Sequence, residues 1–123
     1  MKTSELTGAA LNWAVAIADG WTVTTASDKE GQYLWLVYGI SEMKLSQYRP
    51  STNWMRGGPI IEREGMGVWM YQWNEQGEPE NGWYAEDKNG DHVRTGTTPL
   101  IAAMRCYVAS KLGDEVEIPE ELE

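Results

Sequence analysis

The chain is predicted to fold as an α+β domain: a small antiparallel sheet packed by an N-terminal and a C-terminal helix, with a short central helix. Three observations carry this. Apolar residues recur at helical spacing near both ends of the chain, and each run is bounded by a capping residue and a glycine. Between them lie short stretches rich in aromatic and β-branched residues. Clusters of Asp, Asn and Gly separate those stretches as turns.

The first helix is expected over residues 4–19. Thr3 or Ser4 can cap it, and Glu5 suits the positive end of the helix dipole. Leu6, Ala10, Trp13, Ala14 and Ile17 form its apolar stripe, which makes Trp13 a core residue, and Gly20 is the stop. Trp21, Val23 and Thr25 then alternate with Thr22 and Thr24, as in a half-buried strand. A polar turn over residues 28–31 leads into residues 33–38, which are apolar on both faces as a central strand would be, so the two runs form a hairpin.

Residues 41–58 read as an irregular loop, because Pro50, Ser51, Thr52, Asn53, Gly57 and Gly58 oppose regular structure. Pro59 fits the first position of a short helix, Ile60 to Glu64, ended by Gly65; a strand also fits there. Residues 68–73 alternate, with Trp69, Tyr71 and Trp73 on one face. An acidic, turn-rich loop spans 74–82, residues 83–85 restart a strand, and 92–95 close a second hairpin after the Asn89-Gly90 turn. The last helix is the plainest element, with Thr98 as cap, Pro99 in the first turn and Gly113 as stop. The globular domain is placed at 1–113, followed by an acidic tail over 114–123, read as a solvated tail.

Composition narrows the function classes. At 123 residues the chain fits one domain, which buries roughly 65% of its unfolded surface. The net charge of −9 disfavours nucleic acid, since ten basic residues scattered along the chain make no patch for phosphates. No apolar run is long enough to cross a membrane, and no secretion signal is read at the amino terminus. A single cysteine, Cys106, and a single histidine, His92, exclude disulfide frameworks and His- or Cys-rich metal clusters, so no cofactor or metal is expected. Cys106 falls on the apolar stripe of the last helix and is expected to be an inert buried thiol. His92 beside Asp91 has no nucleophile near it in sequence, and Glu62, Arg63 and Glu64 read as surface ion pairs. No catalytic set is complete, and an enzyme is not expected.

The aromatic inventory points instead to binding. Seven tryptophans and six tyrosines stand against no phenylalanine, so all of these rings carry an N–H or O–H that asks for a partner when buried. The face of Trp69, Tyr71 and Trp73, which Trp35 and Trp83 could join across a sheet, is expected to be core beneath the two helices; were it exposed, it would mark an interaction patch or a homodimer face. Trp54 in a polar loop beside Arg56 is the pairing enriched at interface hot spots. With Tyr48 and Arg49 it makes the candidate contact for a partner protein. Gly57 and Gly58 at a helix start would offer free N–H groups to a phosphate or carboxylate, which supports the alternative of a nucleotide or small-molecule binder. No P-loop ending follows them.

Three segments resemble one family. They are Pro50-Ser51-Thr52-Asn53-Trp54 followed by residues 57–64, the run from Gly96 to Gly113, and the opening from Lys2 to Leu11. Together they resemble the NinX-like proteins of lambdoid bacteriophages across most of the chain, the central motif being the most specific. The resemblance implies a small phage or prophage accessory protein at work in a host bacterial cytoplasm. It carries over no catalytic residues.

Overall fold

The computed structural model describes residues 1–123. Two three-stranded antiparallel sheets, rather than one, lie around a helical centre. After a 3₁₀ turn over Thr3–Glu5, α1 runs Gly8–Ala18. The first sheet follows as β1 (Thr22–Asp28), β2 (Gly31–Tyr38) and β3 (Ser41–Lys44), with β2 in the middle as its two apolar faces suggest. Two helices come next, α2 (Leu45–Tyr48) and α3 (Trp54–Glu64). The second sheet is β4 (Gly67–Trp73), β5 (Pro79–Glu86) and β6 (Val93–Gly96), with β5 central, and α4 (Pro99–Leu112) follows. The α+β class therefore holds, with the strand material divided between two meanders.

The first helix starts later than expected. Thr7 takes the cap position, and Thr3 is not a cap but a fully buried anchor whose Oγ1 lies 3.2 Å from the carbonyls of Gly113 and Asp114. Its backbone N–H donates to Asp114 O at 2.8 Å, while Met1 and Val116 exchange backbone bonds at 2.8 and 3.0 Å. The segment after Gly113 is therefore tied to the amino terminus rather than free in solvent. Its acids stay in water, but Val116, Ile118 and Leu122 pack against the core.

Helix α4 is where the core sits. Thr98 Oγ1 accepts from the Ile101 N–H at 3.1 Å, Pro99 occupies the first turn, and Gly113 ends it at φ +90°. Leu100, Ala102, Ala103, Met104, Cys106, Tyr107, Val108 and Ala109 are all buried, so the helix is covered nearly all round. α1 packs on one side of it and the second sheet on another. Each large side chain sealed there, such as Leu11, Leu36 or Met104, contributes about 1.5–3 kcal/mol by leaving water. Small residues let backbones close in: a Cβ on Gly96 would stand 2.6 Å from the Ala102 nitrogen, so β6 rests directly on α4. Arg105 clamps the neighbours, its Nε donating to Leu6 O and its Nη1 to Thr95 O, each at 2.8 Å.

A substitution follows from that contact. Gly96→Ala inserts a methyl where backbone already lies, and overpacking of this kind costs about 1–3 kcal/mol. Urea unfolding monitored by tryptophan emission is expected to show a lowered midpoint with unchanged slope; an unaltered midpoint would mean β6 can lift from the helix freely.

Candidate functional site

Residues 41–58 are ordered structure, contrary to the loop expected from their composition. β3 and α2 take the first eight residues, and Arg49 ends α2 in the left-handed region at φ +44°. The chain then turns tightly: the N–H groups of Thr52 and Asn53 donate to Arg49 O at 3.2 and 2.8 Å. Ser51 is buried and donates from both N and Oγ to Asn12 Oδ1 at 3.0 and 2.7 Å, which ties the turn to α1. A backbone turn closed on Arg49 and a long-range side-chain anchor to Asn12 together order this Ser- and Asn-rich stretch.

Asn53, not Pro59, opens the central helix. Its Oδ1 accepts from the Met55 N–H at 3.0 Å, so α3 begins at Trp54 and Pro59 lies in its interior. Proline there removes one helical bond, but the cap and the packing of the first turn carry the helix past it. The same finding removes the proposed anion cradle. The Gly57 N–H donates to Asn53 O at 2.9 Å, and Gly58 lies a turn inside the helix, so neither presents a free N–H at a helix start. Gly57 is glycine for packing: a Cβ would meet Pro50 O at 2.5 Å and Leu100 at 2.6 Å.

The six residues singled out in the sequence are thereby separated. Tyr48 is interior, 2% exposed, with its ring 5.4 Å from Trp21. Arg56 is half-buried and stacks over Tyr48, its guanidinium carbon 5.9 Å from the ring centre. Trp54 points outward at 56% exposure, beside Met55 at 83%. Arg49 turns to a different place, a hollow of about 630 Å³ between α1, β2 and α2. Asn12, Tyr33, Leu34 and Leu45 line it, and Leu122 of the carboxyl-terminal segment reaches its wall.

The aromatic face of β4 is the largest departure from expectation. Trp69 and Trp73 are 44% and 60% exposed, and Tyr71 is half-buried. Strand register explains it. Val68 and Met70 pair with Ala85 and Trp83; Ala85 is fully buried, so that set points to the helix side, although Met70 stays 56% exposed. Trp69 pairs with Tyr84 on the other side, their rings stacked at 5.3 Å and 23°. Trp83 joins the inner face, and Trp35 belongs to the other sheet, packed edge-on to Tyr33 at 6.0 Å. Two glycines were the legible signal. The Trp69 indole overlies Gly67, and a Cβ on Gly82 would meet the Tyr71 hydroxyl at 2.5 Å, so both rings lie flat on the sheet where no side chain stands.

Several titratable side chains are held in structural pairs. His92 Nδ1 lies 2.8 Å from Asp87 Oδ2, and this bond holds the Asp87 carboxyl below its ordinary range. Arg63 joins Asp19 at 2.6 Å, Tyr107 at 3.1 Å and Glu64 at 3.0 Å; Glu64 also meets Lys111 at 3.0 Å and is held low chiefly by Arg63. No group of three or more His, Cys, Asp or Glu side chains is placed to hold a metal ion. No helix is long and apolar enough to cross a membrane.

Burial pushes the Cys106 thiol from 9.0 up to about 12, with the Asp87 charge adding to it. Burial likewise pushes Tyr48 from 10.0 up to about 12, helped by Asp19. Both folded groups hold their proton more tightly than the unfolded chain does, so the stability they contribute is complete below pH 9 and is lost as pH rises toward 12. The urea midpoint is expected to start falling above about pH 9, and Cys106→Ala to move that onset toward pH 10, where Tyr48 takes over. A midpoint independent of pH between these limits would contradict the burial of both groups.

No curated protein matches the chain. Residues 2–111 match the family model described as Bacteriophage P22, NinX. That span takes in all four helices and both sheets up to Lys111 of α4. The chain thus belongs to the NinX family and is a phage accessory protein.

Proposed function

We propose that this accessory protein works by binding, without catalysis, a host or phage protein through the start of α3 in the host bacterial cytoplasm. One observation carries the reading: Trp54 and Met55 stand outward side by side on a rigid turn. The Asn53 cap, the Ser51–Asn12 bonds and the Gly57 packing hold that turn in one conformation before any partner arrives. A preorganised contact loses little entropy on binding, and an exposed indole is the side chain with most apolar area to gain. Arg56, stacked on Tyr48 at the base, supplies a donor at the rim. A binding role also fits the state of the reactive groups, since the lone thiol is sealed and the lone imidazole is engaged with Asp87.

The hollow beside Arg49 favours a second reading, a small-molecule site. Its volume of about 630 Å³ suits a ligand of nucleotide size, and Arg49 would meet an anionic group at its edge.

Two measurements separate the readings. Affinity capture from host lysate is expected to recover a stoichiometric partner that Trp54→Ala loses, with Arg49→Ala retaining it; recovery unaffected by Trp54→Ala would remove the first reading. Titration of the protein with a nucleotide panel, followed by intrinsic fluorescence, is expected to be flat; a saturable change abolished by Arg49→Ala would establish the second.

A further inference from the structure

The outer face of the second sheet carries large aromatic side chains that reach solvent. α4 covers the inner face, while Trp69, Tyr71, Trp73 and Tyr84 line the opposite one. Exposed aromatic groups this close together are rare on surfaces that meet only water. Their layout is also specific. Trp69 stacks on Tyr84 and overlies Gly67, and Tyr71 reaches across to overlie Gly82, so these rings are fixed against the sheet by their neighbours.

The charge around this face is one-sided. From Gly65 to Asp87 there is no lysine or arginine, whereas Glu75, Glu78, Glu80 and Glu86 occur there. Glu86 shares the outer side with Tyr84 by strand alternation, and Glu75, Glu78 and Glu80 lie at the β4–β5 end beside Trp73. Nearby cations do not neutralise them. Arg94 pairs across to Ala85 on the inner side and is engaged by Asp114 at 2.6 Å, and the Lys88 stem packs by Gly65. Aromatic faces within an acidic rim attract cations twice, through the ring quadrupole and through charge. A second copy of the chain would bring the same glutamates against one another, which argues against self-pairing.

We propose that the outer face of the second sheet docks a basic segment of another protein, with arginine side chains stacked on Trp69, Tyr84 and Trp73 and glutamates of the β4–β5 end and Glu86 meeting their charge. Arginine fits better than lysine, because a planar guanidinium lies flat on an indole. This surface is separate from the Trp54 contact and does not depend on it.

An oligo-arginine peptide serves as the probe, with oligo-lysine and oligo-glutamate of equal length beside it, titrated calorimetrically at low and high salt. Saturable oligo-arginine binding is expected, tighter than oligo-lysine, with none for oligo-glutamate. Trp69→Ala with Trp73→Ala should weaken oligo-arginine about tenfold. Replacing Glu78, Glu80 and Glu86 by Gln should reduce both affinity and salt dependence, while Trp54→Ala leaves the titration unchanged. Trp73→Ala alone, at the exposed end of the strand, replaces the double variant should that one fail to fold, and should weaken binding about threefold. The proposal is overturned by equal affinity in the tryptophan variants and the parent, by no saturable binding, or by a dimer in light scattering that Trp73→Ala dissociates.

Discussion

The burial of α4 on nearly all sides is the constraint from which the remaining architecture follows. A helix sealed this way must satisfy its ends and accept close neighbours, and the chain supplies both. Thr98 and Gly113 close the ends, and alanines along the shaft let α1 and the bare backbone at Gly96 approach. Arg105 then spends its guanidinium on two carbonyls, Leu6 and Thr95, binding the amino-terminal segment and β6 to the same helix. Even the acidic carboxyl-terminal segment is recruited, because Thr3 is buried against Gly113 and Asp114.

That arrangement has a consequence for the surface. A chain of this size has limited interior, and α1 and α4 fill much of it with alanine, leucine, methionine and valine. Apart from Tyr48 and Tyr107, the large rings are left at the margins. Trp13, Trp21 and Trp83 lean on the core from its edges, while Trp54, Trp69 and Trp73 face water. Glycines decide where rings can lie close to the sheet: Gly67 and Gly82 sit under the outer aromatics of the second sheet. The binding surfaces are therefore by-products of a small-residue core, stiffened by the same close packing.

Polar groups reinforce the picture. Several are satisfied within the fold: Asn12 by distant Ser51, Tyr107 by distant Asp19 at 2.8 Å, and Asn53 by the nearby Met55 N–H. The exposed ion pairs around Arg63 and Glu64 are of the kind that adds at most about 1 kcal/mol each. They link the carboxyl end of α3 to α4 and to the end of α1.

Local sequence was enough to read the α+β class, the last helix with its cap and stop, the central position of β2, the two hairpins and the sealed cysteine, because periodicity, capping residues and turn chemistry act over a few neighbours. It says less where distant partners decide. The preference of proline for the first helical position places the central helix start at Pro59, whereas the Asn53 cap, itself a local signal, and the packing of Gly57 against Pro50 and distant Leu100 start it earlier. For Trp69, Tyr71 and Trp73 alternation reveals two faces without saying which one a helix will cover, so the inward placement expected of them fails. Pairing of Val68 with buried Ala85 made that choice, and a strand's side chains all change sides together. Which aromatics meet solvent is a property of the assembled layers, since burial is shared between elements that no local window contains.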